Sequence, residues 1–189
     1  MSDARLQPVP AWGHGAGFLA LGPGAPADDA AAVADRLAIL ERLHRYGWTY
    51  DERRADLLGD CFAENGVWAG NVMGEVAIGP FEGRGEIVRW LTGFWPHQRD
   101  QRRHMFLNAV IEEQDADRAR ALSYLLLFGA KRASARLETS AFYRVDLRKE
   151  DDAEWRITHM FAGFDAPFWP GALEQLSPRA RERHGIRSR

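Results

Sequence analysis

The hydrophobic pattern changes period midway along the chain. After Asp28 and Asp29, the residues Val33, Leu37, Leu40, Leu43, Tyr46, Gly47 and Tyr50 recur at three- and four-residue intervals, the spacing that keeps one face of an α-helix apolar. The two aspartates suit a helix start, where a carboxylate meets free backbone N–H groups. The pattern stops near Asp51. Shorter helical patterns cover 54–63, through Leu57, Leu58, Cys61 and Phe62, and 84–94, through Ile87, Trp90, Leu91 and Phe94.

Later the period falls to two. Residues 103–112 put His104, Phe106, Asn108 and Val110 on one side and Met105, Leu107, Ala109 and Ile111 on the other, as in a strand with two different faces. Strands are also predicted over 119–129, 136–147 and 154–163, separated by polar turns, with an earlier hairpin over 66–81. No internal repeat is visible. Helices first and strands after predict an α+β fold, a cone-shaped antiparallel sheet curved around the long N-terminal helix, with two shorter helices and a mouth open to small ligands. The segment 161–170, with Phe161, Phe164, Phe168 and Trp169, is too aromatic for a solvated tail and is expected across that mouth or a dimer seam.

The ends differ in character from this body. Residues 1–27 are rich in Gly, Pro and Ala and read as a flexible arm, whose Trp12, Phe18, Leu19 and Leu21 could dock on the body or on a neighbouring subunit. Residues 28–170 form the domain, and 171–189 a charged tail.

Composition narrows the partners. With 189 residues, 46% of them hydrophobic and 11% aromatic, the chain can fill one real core. Its 25 basic and 27 acidic residues give a net charge of -2, so the broad positive field that draws a protein onto nucleic acid or an anionic membrane is missing. A small-molecule substrate is expected instead, and a homodimer, because 119–128 is apolar on both sides and needs covering. No apolar run reaches the ~20 residues that span a bilayer, and Met1-Ser2-Asp3 lacks the positive start of a secretory leader, which points to the cytoplasm. Cys61 is the only cysteine and lies in an apolar phrase, where a buried thiol is the ordinary outcome. No glycine-rich nucleotide loop, Gly-Lys-Ser/Thr, paired Cys-x-x-Cys or His-Glu-x-x-His occurs, so no cofactor and no metal are expected.

The remaining candidates are acid–base groups. Tyr46 and Tyr50 are one helical turn apart on the inward face, and Asp51 follows at the helix end, where the dipole disfavours a carboxylate unless solvent or a cationic partner is near. His104 begins an alternating strand on the same side as Phe106 and Asn108, aiming an imidazole and a carboxamide together. Taken singly, these residues read first as a solvated aspartate, two core tyrosines and a satisfied histidine. Taken together, a carboxylate behind an imidazole fixes its tautomer and raises the basicity of the far nitrogen. The expected cavity is lined by the His104, Phe106 and Asn108 face, closed by the first helix and walled by Trp48, Trp68, Trp90 or Tyr124. His159, at period two with Trp155, Ile157 and Phe161, could add a second acid. The basic loop 95–103 could cap an anionic substrate, although charge runs usually face water.

The order of Arg45-Tyr46, Tyr50-Asp51-Glu52, the run from Cys61 and Phe62 to Trp68, Phe81-Glu82-Gly83-Arg84, His104 with Asn108, Tyr143 and Trp155-Arg156-Ile157 resembles the SnoaL-like branch of the nuclear transport factor 2-like superfamily, the polyketide cyclases, over about 33–165. In relatives such as scytalone dehydratase and hexachlorocyclohexane dehydrochlorinase, an aspartate ending the first helix orients a histidine that acts as base in an elimination. The resemblance implies those roles for Asp51 and His104, and for Tyr50 that of a tyrosine polarising the substrate. The sequence departs from scytalone dehydratase near Ala130-Lys131, where the second histidine is missing, and near Leu137 and Thr139, in place of its Ser/Asn pair. A cofactor-independent lyase acting on a small aromatic or polyketide-like molecule is the function implied. Isomerases and aldol cyclases share the abstraction step, and related cones also serve as non-catalytic small subunits of ring-hydroxylating dioxygenases or as binding modules.

Overall fold

In the computed structural model, residues 22–168 and 177–179 are described. The expected docking of Trp12, Phe18, Leu19 and Leu21, the aromatic Trp169 and most of the tail lie outside them. The elements run α1 (Ala30–Asp51), α2 (Ala55–Asp60), β1 (Phe62–Val72), β2 (Val76–Glu82), α3 (Arg84–Thr92), β3 (Gln101–Gln114), β4 (Arg118–Lys131), β5 (Ser134–Lys149) and β6 (Trp155–Phe164). Asp29 caps α1, its carboxylate accepting the Ala32 N–H at 2.8 Å, which ties up one of the N–H groups left free at a helix start.

Six strands form one sheet in the order β2-β1-β6-β5-β4-β3. Every pair is antiparallel except β1 with β6, which is parallel. The early hairpin thus joins the strand that ends the domain, and the chain's two halves share one sheet. Its concave face packs on α1, with Ile39, Leu43, Tyr46, Tyr50, Phe62, Trp68, Tyr143, Trp155 and Ile157 buried. A large apolar side chain hidden in this way contributes ~1.5–3 kcal/mol.

Two sequence-derived faces are corrected, the second by irregular backbone. The apolar stripe of α1 reaches less far toward its start than the spacing predicts: Val33 and Leu37 are exposed, and burial begins at Ile39 and Leu43, which do point inward as expected. On β3 the pairing slips between Leu107 and Val110. Asn108 adopts a left-handed φ of 51° there, a conformation asparagine tolerates better than most residues. This bulge reverses the faces, so that Ile111 turns inward while Val110 is exposed.

Candidate active site

The site begins at Gly47. A Cβ there would lie 3.1 Å from both the Cβ of His104 and the ring of Phe106, so glycine lets α1 settle directly on β3. One helical turn later the side chain projecting toward the same strand is Asp51. Its Oδ1 lies 2.6 Å from Nδ1 of His104, and its Oδ2 accepts the His104 backbone N–H at 2.7 Å. Both side chains are nearly sealed, 5% and 7% exposed. An ionised carboxylate can only accept, so next to it Nδ1 carries the proton and Nε2 is left as the nitrogen not held by Asp51.

His104 lines a cavity of about 580 Å³. One wall is aromatic: Trp68 and Trp90 lie 4.3 Å apart between ring centres, and Phe81 stacks on the outer side of Trp90 at 4.4 Å. Phe94, Tyr143, Phe164 and Phe168 also line the cavity, and Phe164 and Phe168 belong to the aromatic 161–170 segment, whose described part therefore contributes to the wall. Tyr50 stands edge-on to His104 at 5.0 Å. Its hydroxyl oxygen accepts the Gln98 amide N–H at 2.7 Å, which leaves its own O–H to donate elsewhere. Burial pushes the Tyr50 hydroxyl up to about 12, so it is a donor at neutral pH.

The opposite end of the cavity is polar. Arg102, two residues before His104 on the same face of β3, holds Asp100 through Nε at 3.0 Å and has Glu138 4.0 Å from Nη1. Glu138 pairs in turn with Arg136 at 2.7 Å. Glu138 is the extra residue of a bulge, since Leu127 faces Thr139 and Phe128 faces Leu137, and the bulge aims its carboxylate inward. Gly129 makes the room: a Cβ there would overlap Oδ2 of Asp100 and lie 2.6 Å from Oε1 of Glu138.

Of the residues expected at the site, the structure brings His104, Asp51, Tyr50, Trp68 and Trp90 together. Tyr46 is fully buried behind the cavity, its ring against Phe62, Tyr143 and His104, and burial drives its hydroxyl far above the ordinary tyrosine value. Trp48 and Tyr124 are 65% and 58% exposed and do not wall the cavity. Asn108 is removed by the β3 bulge. His159 is removed by another: Asp146 faces His159 and Leu147 faces Ile157, so Thr158 is extra. Trp155 and Ile157 point inward before it, Met160 and Ala162 after it, which leaves His159 on the outer face. Gln98 and Arg102, from the 95–103 loop that was expected to face a substrate or water, join the lining, as do Glu138 and Tyr143, which were not expected there. Arg102 carried a further signal in its period-two spacing from His104. Cys61 is buried, which raises its thiol pKa and makes it a poor nucleophile.

The SnoaL-like domain model matches residues 31–160. No curated protein matches the chain. Solved structures share the fold. A nuclear transport factor 2-like protein with a cystatin-like fold from Novosphingobium aromaticivorans is 21% identical over 84% of this chain and 98% of its own, with a TM-score of 0.57. LinA is 19% identical over 71% and 88%, with a TM-score of 0.61. A protein described as the beta subunit of an aromatic-ring-hydroxylating dioxygenase, also from N. aromaticivorans, is 14% identical over 77% and 99%, with a TM-score of 0.62. At these identities the likeness is one of fold.

Proposed function

The chain belongs to the SnoaL-like family, and from that premise we propose that it is a cofactor-independent acid–base enzyme, a lyase of the elimination or dehydratase type. Its substrate is a small, largely apolar, aromatic or polyketide-like molecule. One observation carries the reading: the 2.6 Å contact between His104 and Asp51, made where His104 lines an aromatic cavity. LinA shares the fold.

In this reading Nε2 of His104 removes a C–H proton from the bound substrate. The electron pair left behind forms the new double bond as the leaving group departs, and the imidazolium returns the proton to that group. Asp51 offsets the positive charge on the ring while it lasts. Tyr50, with Gln98 donating to its oxygen, gives its O–H to the substrate oxygen on which charge develops. Asp100, Arg102 and Glu138 face the far end of the molecule. An isomerase or aldol cyclase would use the same first step and differ in the fate of the anion. The test is turnover of a panel of hydroxylated and halogenated aromatic and polyketide-like compounds by the wild type and by His104→Gln. Loss of turnover in the variant supports the dyad, and unchanged turnover overturns it.

The outer face of the sheet supports a second proposal, that two copies of the chain pair there. Met105, Leu107, Val110, Tyr124 and Leu137 are large, apolar and 38–58% exposed. Leu107 and Tyr124 sit directly opposite each other in the β3–β4 ladder, so the patch is continuous and of the kind that marks an interface. The dioxygenase beta-subunit neighbour supplies the rival occupant, a large partner chain, which co-purification at equal stoichiometry would reveal.

A further inference from the structure

We propose that the substrate carries an anionic group, most simply a carboxylate, which cations at the cavity mouth hold while its aromatic body lies between Trp90 and His104. The inference rests on the reading of this cavity as an aromatic substrate site and adds the charge of the substrate. Arg99, Lys131 and Arg132 all line the cavity and are exposed. Arg99 comes from the α3–β3 loop, while Lys131 and Arg132 come from the β4–β5 turn, so two separate segments deliver positive charge to one opening. Among the described residues no carboxylate pairs with any of the three, whereas the deeper Arg102 and the neighbouring Arg136 are held by Asp100 and Glu138. With that inner group near charge balance, the mouth stays positive on a chain whose net charge is -2.

The backbone of the turn adds an independent argument. Lys131 and Ser134 pair across it, leaving Arg132 and Ala133 as a two-residue loop with φ of 52° and 60°. Two left-handed residues in succession define the turn type that strongly favours Asn-Gly. Arginine there is strained, and an observed strain of this kind beside a cavity is a reason to look for a function of the side chain. Glycine would relax the turn and delete the charge together, so stability and binding should move in opposite directions.

The test uses 2-naphthoate and its neutral isostere 2-naphthamide, titrated calorimetrically into the full-length protein at low and high salt. The acid should bind about tenfold more tightly at low salt, and added salt should erase the difference because the cations are exposed. Arg132→Gly combined with Lys131→Gln should remove most of the advantage and leave naphthamide binding unchanged, and Arg132→Gly alone should raise the melting temperature. Equal affinity for acid and amide in the wild type would overturn the inference while leaving the aromatic cavity and the dyad standing. Binding of neither compound would overturn it together with the aromatic cavity on which it rests. A lower melting temperature in Arg132→Gly would contradict the strain argument.

Discussion

Replacing Asp51 by asparagine changes one atom and should invert the proton arrangement of the site. In the native protein the carboxylate accepts from both the His104 amide and Nδ1, at 2.7 and 2.6 Å. Asparagine has one acceptor. If its oxygen keeps the backbone N–H, its NH2 group faces Nδ1, which must then accept, and the neutral ring carries its proton on Nε2. If it turns the other way, the buried backbone N–H of His104 meets a second donor and loses its partner, at a cost of ~1–3 kcal/mol. The first arrangement is therefore preferred, with a charge-assisted bond exchanged for a neutral one and a stability loss of about 1–2 kcal/mol. An Nε2 that already holds a proton cannot act as base, so turnover should fall by about two to four orders of magnitude while ligand binding persists. Long-range proton–nitrogen NMR of the labelled imidazole reads the tautomer directly, without a substrate, and urea melts read the stability. The same tautomer in wild type and variant would refute the reasoning.

Other perturbations have outcomes fixed by the same structure. Tyr50→Phe should slow turnover less than loss of His104, since it removes an assisting donor and leaves the base, a difference to be read from kcat on one substrate. Gly129→Ala should destabilise the fold by about 1–3 kcal/mol in urea melts, because the methyl group enters the space of Asp100 and Glu138. Burial raises the hydroxyls of Tyr46, Tyr50 and Tyr143 above the ordinary value of 10.0. The stability they contribute is complete below pH 10 and is lost as the pH rises toward their folded-state values, so melting temperatures should fall steeply on the alkaline side, in step with tyrosine ionisation followed by absorbance. Light scattering should return twice the 21.3 kDa chain mass, and Leu107→Asp with Tyr124→Asp should return the single mass.

The elements were legible because their periods are long and clean. The first helix was expected to end near Asp51 and does, and all four later strands lie where alternation or the intervening polar turns put them. Asp51 and His104 were readable as a pair through the resemblance to the family, in which an aspartate ending the first helix orients a histidine on this strand. The failures share a cause. Asn108 and His159 were placed on the cavity face by counting in twos, and each lies at or beside a bulge that an alternating pattern cannot reveal. Glu138 was missed for the same reason in reverse, since a bulge turned it inward. Trp48 and Tyr124 were assigned to the cavity on residue type alone, and their exposure shows that an aromatic side chain carries no information about which face it occupies.

Proton abstraction by His104 is the central claim, and isotope exchange tests it more directly than product formation does. The wild type and His104→Gln would be incubated in deuterated water with aromatic ketones and polyketide-like β-dicarbonyl compounds, and loss of the acidic C–H signals followed by NMR. The account predicts enzyme-dependent exchange or elimination for at least one compound class, reduced to the background rate in His104→Gln although the variant still binds the compound. Exchange that continues undiminished in His104→Gln would contradict it.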